Sequence, residues 1–75
     1  MNVIEITKEP VELYKMLKFE GLVGSGGEAK AVVADGFVVV NGAVETRKRK
    51  KIVSGDIIEF GGEEYQVQLT AVGVD

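Results

Sequence analysis

Apolar and polar positions change period along this 75-residue chain, and the changes mark its elements. Val3-Ile4-Glu5-Ile6-Thr7 is rich in β-branched residues and partly alternating, which predicts a short first strand. Lys8-Glu9-Pro10 breaks that pattern, and Pro10 suits the first turn of a helix, where its missing N–H costs nothing. From Val11 to about Glu20 the period becomes helical, with Leu13, Met16 and Leu17 on one inward face and Gly21 as the stop. Ser25-Gly26-Gly27-Glu28 has the spacing of a capping box, so a second helix is expected from there to about Asp35. Ala29, Val32 and Val33 give it an apolar stripe, and Gly36 ends it.

The second half of the chain reads as strands. Phe37-Val38-Val39-Val40 is a continuous apolar run, and Asn41-Gly42 after it is a strong hairpin signal, because both residues tolerate the positive φ of a type I′ turn. Ala43-Val44-Glu45 begins the return. Ser54-Gly55-Asp56 is a turn, Ile57 to Phe60 a strand, Gly61-Gly62 a second tight turn, and Glu64 to Leu69 a last alternating strand. The tail to Asp75 is expected to be loosely held. This order predicts an α+β domain spanning 1–75: a short first strand, then two helices packed on a small, mainly antiparallel sheet.

Composition narrows the function. With 45% hydrophobic and 28% charged residues the balance is that of a folded domain rather than a disordered chain. There are no cysteines and no histidines, which removes disulfides, thiolate chemistry and the commonest general base and metal ligand. Glu63-Glu64 is the one adjacent acidic pair and has no catalytic partner set around it, so no enzyme, metal or cofactor is expected. No apolar run approaches a membrane span, and Met1 to Thr7 is too short and too acidic for a signal peptide. The expectation is a soluble, cytoplasmic protein whose small core allows a monomer.

Charge is the most informative feature. The chain carries 9 basic and 12 acidic residues, net −3. Arg47, Lys48, Arg49, Lys50 and Lys51 are consecutive; subtracting their +5 from −3 leaves −8 on the other 70 residues. An acidic body with one cationic segment argues against indiscriminate coating of nucleic acid and for a local anion-binding face. The plainer reading of that run is a solvated loop whose lysines discourage sheet-edge pairing.

Four phrases in order then carry a resemblance. They are Met16-Leu17-Lys18-Phe19-Glu20-Gly21-Leu22-Val23, Ser25-Gly26-Gly27-Glu28-Ala29-Lys30, Gly36-Phe37-Val38-Val39-Val40-Asn41-Gly42 and Val53-Ser54-Gly55-Asp56-Ile57-Ile58. Together they resemble the RNA-binding domain of small-subunit ribosomal protein S-four, the alpha-L motif, over about residues 11–60. Asn41 to Arg49 looks like the small stand-alone YbcJ-type bacterial RNA-binding proteins. The resemblance implies non-catalytic binding of structured RNA, ribosomal RNA or ribosomal particles among the expected targets. By position it implies contacts from Lys18, Ser25, Gly26, Gly27, Lys30 and Asn41, joined by Arg47, Lys48, Arg49, Lys50 and Lys51. This sequence departs from many members of the family at two places. Gly26 stands where a basic residue often follows the serine, and Val11-Glu12 where the first helix often starts with arginine. Both departures leave more of the binding to residues 47–51.

The residues themselves support parts of this reading. Clustered lysine and arginine supply sequence-independent phosphate contacts. A glycine-rich turn before a helix binds anions through free amides, although Ser25 to Glu28 is first of all a cap, and no lysine-serine pair makes it a nucleotide loop. Lys15, Lys18 and Lys30 are by default ordinary exposed helix residues. Tyr14, Phe19, Phe37, Phe60 and Tyr65 fall mostly in apolar runs, so core positions are expected for at least three of them. None interleaves with the basic run, which favours folded RNA read by backbone and shape over stacked single strands. The alternative is a protein-interaction or β-grasp carrier-like module, but carriers need a C-terminal Gly-Gly, and Gly61-Gly62 is internal.

Overall fold

The computed structural model describes residues 2–70, so the expectation for the tail to Asp75 falls on residues outside that range. The elements are β1 (Asn2–Ile6), β2 (Val11–Glu12), α1 (Leu13–Phe19), α2 (Gly26–Ala34), β3 (Val39–Val40), β4 (Ala43–Val44), β5 (Lys51–Ile52), β6 (Ile57–Phe60) and β7 (Glu63–Leu69). Five strands form one sheet in the order β1-β7-β6-β3-β4, and β2 pairs separately with β5. Only β1 and β7 run parallel; the other pairings are antiparallel. The expected α+β architecture of two helices on a mainly antiparallel sheet is the one observed.

One face of the sheet is covered by the helices. Ile4, Ile6, Val40, Ile58 and Val67 point into the core, and alternation puts Val3, Glu5, Glu59 and Gln66 on the other face. Leu13, Met16 and Leu17 of α1 and Ala29 and Val33 of α2 close over the core, each almost completely buried. The i, i+3, i+4 spacing read from the sequence is therefore the packed face of each helix.

Both helices end in the same way. Gly21 and Gly36 have φ of 72° and 82°, which turns the chain back on itself. The Leu22 N–H then donates to the Leu17 carbonyl and the Phe37 N–H to Val32, while the Gly21 and Gly36 N–H groups donate to Lys18 and Val33. This paired reversal satisfies carbonyls the helices leave open. The two starts differ. Ser25 caps α2, its Oγ accepting from the Glu28 N–H at 3.1 Å. The other half of the expected box is shifted: the Glu28 carboxylate accepts from the Gly24 N–H at 2.7 Å, one residue before the serine. Ser25→Ala is expected to cost about 1 kcal/mol, lowering Tm by about 4–8 °C in a thermal unfolding scan.

Three expectations are corrected. The first helix begins at Leu13, two residues later than its period suggested, because Val11 and Glu12 are held as a strand against Ile52 and Lys51. Pro10 thus precedes a strand, not a helix turn. Strand β3 is shorter than the run Phe37 to Val40: only Val39 and Val40 pair, and Phe37 is 64% exposed. Its position directly after the α2 reversal sets it outside the sheet. The Asn41-Gly42 turn is as expected, with φ of 52° and 85° between the paired Val40 and Ala43.

Candidate nucleic-acid interface

The short β2–β5 pair determines where the basic run lies. Helix α1 has no side-chain cap. Its first free amides are taken by the basic segment instead: Leu13 N–H donates to the Lys50 carbonyl at 2.9 Å and Tyr14 N–H to the Lys48 carbonyl at 3.0 Å. Lys50 N–H closes a turn onto the Arg47 carbonyl, and Lys51 enters β5 opposite Glu12. Five like charges in sequence would ordinarily stay mobile; here their backbone is clasped to the start of a helix. On this turn Lys48 and Arg49 are exposed and Lys50 is half-buried.

Beside this turn lies an open groove of about 590 Å³. Lys8, Lys15, Lys18 and Lys51 line it, with Tyr14, Phe19 and Gly26 completing its walls. Glu12 is the one carboxylate in the lining, and it bridges two of the lysines, at 3.5 Å from Lys15 Nζ and 3.8 Å from Lys51 Nζ. The carboxylate spaces the cations without neutralising the groove. Lys30 reaches over the Tyr14 ring, its Nζ 4.9 Å from the centroid, and adds a fifth cation at the rim.

Charge is segregated across the fold. None of the nine lysines and arginines lies on the five-stranded sheet, whose charged residues are Glu5, Glu59, Glu63 and Glu64. Strands β1 and β7 run side by side from Asn2 and Tyr65 to Ile6 and Leu69. The acidic Glu63-Glu64 pair lies at or before the first end, and Lys8 follows the second. A polyanion is therefore attracted to one end of the sheet and repelled from the other.

A family model of the S4 domain matches residues 4–68. The chain belongs to the S4 domain family. This S4 domain is 50% identical over 68 residues to YbcJ of Escherichia coli, named as a candidate RNA-binding protein, spanning 89% of this chain and 97% of that one. It is 34% identical over 61 residues to RlbA of Bacillus subtilis, named as a candidate ribosome maturation protein, spanning 81% and 86% respectively. The solution structure of E. coli YbcJ, described as revealing an alpha-L motif involved in RNA binding, superimposes with a TM-score of 0.68 at 49% identity, covering 91% of this chain and 87% of that one. The family match extends past residues 11–60 to include most of β1 and β7.

Within this S4 domain the residues singled out from the sequence occupy different settings. Lys18, Gly26 and Lys51 line the groove together; a Cβ on Gly26 would lie 3.9 Å from Lys18 Cδ, so the lysine stem runs along the start of α2. Ser25 and Gly27 stand beside it as cap and first turn, with the Glu28 carboxylate among them. Lys48, Arg49 and Lys50 form the adjoining turn. Arg47 is differently placed. Its Nε donates to Glu45 Oε2 at 2.9 Å, its Nη2 to Oε1 at 3.2 Å, and its backbone N–H to Oε2 at 2.9 Å. Asn41 is bonded inward: its Oδ1 accepts from Ile57 N–H at 2.8 Å and its Nδ2 donates to Asp56 Oδ1 at 3.0 Å, tying the hairpin to the next turn.

The structure adds groove residues that the sequence reading passed over. Lys15 carried a signal, since it lies three residues before Lys18 on one helix face. Lys8 carried none, because only the fold brings the segment after β1 against α1. Of the five aromatics, of which at least three were expected in the core, Tyr14, Phe60 and Tyr65 are partly buried against it, Tyr14 under Lys30, while Phe19 and Phe37 are exposed.

The Arg47 clamp gives a pH prediction. Hydrogen bonds from the Arg47 side chain, then its N–H, hold the Glu45 carboxyl down from 4.5 to about 2. The folded value lies below the unfolded one, so the clamp's contribution is complete above pH 4.5 and is lost as pH falls toward 2. A carboxyl-carbon NMR titration should place the Glu45 midpoint at about 2, and Arg47→Ala should return it toward 4.5.

Proposed function

We propose that this chain binds folded RNA without chemical change to it, ribosomal RNA being the favoured target. The groove lysines and the Lys48 to Lys50 turn supply the phosphate contacts. The observation that carries the reading is the convergence of Lys8, Lys15, Lys18 and Lys51 in one groove, beside a basic turn whose backbone is already fixed. Preordering matters because lysine and arginine side chains lose entropy on binding, and a fixed backbone limits the rest of that cost. The names of the YbcJ and RlbA relatives support RNA, and the ribosomal link of RlbA supports ribosomal RNA. The carrier-like alternative gains nothing from Gly61-Gly62, which form the two-residue turn between β6 and β7 with φ of 63° and 81°.

Fluorescence-anisotropy titrations against a folded ribosomal RNA fragment, a single-stranded RNA of equal length and a DNA duplex test the reading. The folded RNA should bind tightest, with log affinity falling against log salt at a slope of roughly −3 to −5 for about five phosphate contacts. Equal affinity for all three, or no binding at low salt, contradicts it.

A further inference from the structure

Two aromatic side chains stand out from the surface, and their surroundings differ. Phe37 lies among Glu59, Glu63 and Glu64, where a polyanion is repelled. Phe19, the last residue of α1, is 71% exposed and forms the wall between the cationic groove and a second, smaller hollow of about 180 Å³. Ile6 and Met16 line that hollow and are almost wholly buried, and Val11 forms another apolar part of it. Lys8 and Val11 line both hollows, so the two lie side by side.

The smaller hollow does not suit a phosphate. Its floor is apolar, and its rim carries Glu20 as well as Thr7 and Lys8, so no cation cluster faces it. It suits a flat, uncharged ring: the aromatic wall offers a stacking face, and Ile6, Val11 and Met16 give it an apolar floor. Its size falls below the usual range of small-molecule sites and leaves room for one ring system rather than a base pair.

We infer that the hollow behind Phe19 holds a single unstacked nucleobase while the flanking phosphates lie in the lysine groove. The inference rests on the RNA-binding reading and sharpens it: the ligand is a duplex interrupted by an unpaired nucleotide, such as a bulge, rather than an unbroken helix. Unpaired bases lie within reach of side chains, whereas the major-groove base edges of a regular RNA helix lie in a groove too deep and narrow to read.

The test uses three RNA hairpins of equal charge density: fully paired, with a one-nucleotide 2-aminopurine bulge, and with an abasic bulge. The protein should bind the 2-aminopurine bulge about 10-fold tighter than either of the others, the size of one base–aromatic stack, and should quench its fluorescence. Phe19→Ala should remove the quenching and weaken binding to the 2-aminopurine bulge about 10-fold more than binding to the paired or abasic hairpins; Phe19→Tyr should retain both the preference and the quenching. Because Phe19 is exposed, neither variant endangers the core. Equal affinity for all three hairpins, or a Phe19→Ala loss shared equally among them, overturns the inference and leaves phosphate binding standing. Failure to bind any hairpin overturns both.

Discussion

Replacing Lys18, Lys48, Arg49 and Lys50 together by alanine is expected to weaken binding to folded RNA by on the order of 10²–10³-fold at about 0.1 M salt. Each phosphate contact contributes about 0.7–0.9 to the slope of log affinity against log salt, so the loss of up to four contacts should flatten that slope by up to about 3. Among the described residues these four side chains have no carboxylate within ion-pair distance, and none of them belongs to the buried core. Arg47→Ala should cost less than Arg49→Ala, because the Arg47 guanidinium is already bonded twice to Glu45. Salt-dependent anisotropy with the quadruple and the two single variants separates these outcomes. An unchanged slope in the quadruple variant would remove the basic turn from the interface.

Ile52→Ala should produce the largest loss of stability, about 2–5 kcal/mol. Ile52 is completely buried, pairs with Val11, and directly follows the basic run. A chain of this length has only about 4–11 kcal/mol of total stability, so the variant approaches the limit of folding. The β2–β5 pair that Ile52 anchors also aligns the Lys48 and Lys50 carbonyls with the start of α1. Loosening it should weaken RNA binding as well, although no cation is removed. Ile52→Val, at about 0.5–1.5 kcal/mol, keeps the fold and lets the two effects be measured in one protein. Urea denaturation gives the stability loss, and anisotropy at low temperature the binding loss.

Features set by neighbours in sequence were legible from it. The apolar stripe of α1, the Ser25 cap, the Asn41-Gly42 turn and the basic run all follow from spacings of a few residues, and each appears in the structure. Features set by distant pairing were not. Two residues carry no strand period, so Val11-Glu12 read as helix until Lys51-Ile52 was seen beside them. Pro10 fits a helix start and a strand start equally well, and local pattern cannot choose between them. The groove is likewise set by distant pairing: Lys8 and Lys51 are far apart in sequence and meet only because β1 delivers one and β5 the other against α1. Phe19 lies off the face formed by Leu13, Met16 and Leu17, so the period sets it apart from the core, but its place on the lip of a groove follows only from the fold. The resemblance named the helix face and the basic run, but the clasp that fixes the run to α1 is visible only in three dimensions.

The central claim is that RNA lies in the lysine groove and against the basic turn. Titrating the isotope-labelled protein with a folded ribosomal RNA fragment, and following backbone amide shifts by NMR, tests it residue by residue. The account predicts shifts concentrated at Lys8, Lys15, Lys18, Gly26 and Lys48 to Lys51, with Ile57 to Glu64 unchanged. Shifts concentrated on Ile57 to Glu64, or none at saturating RNA, would contradict it.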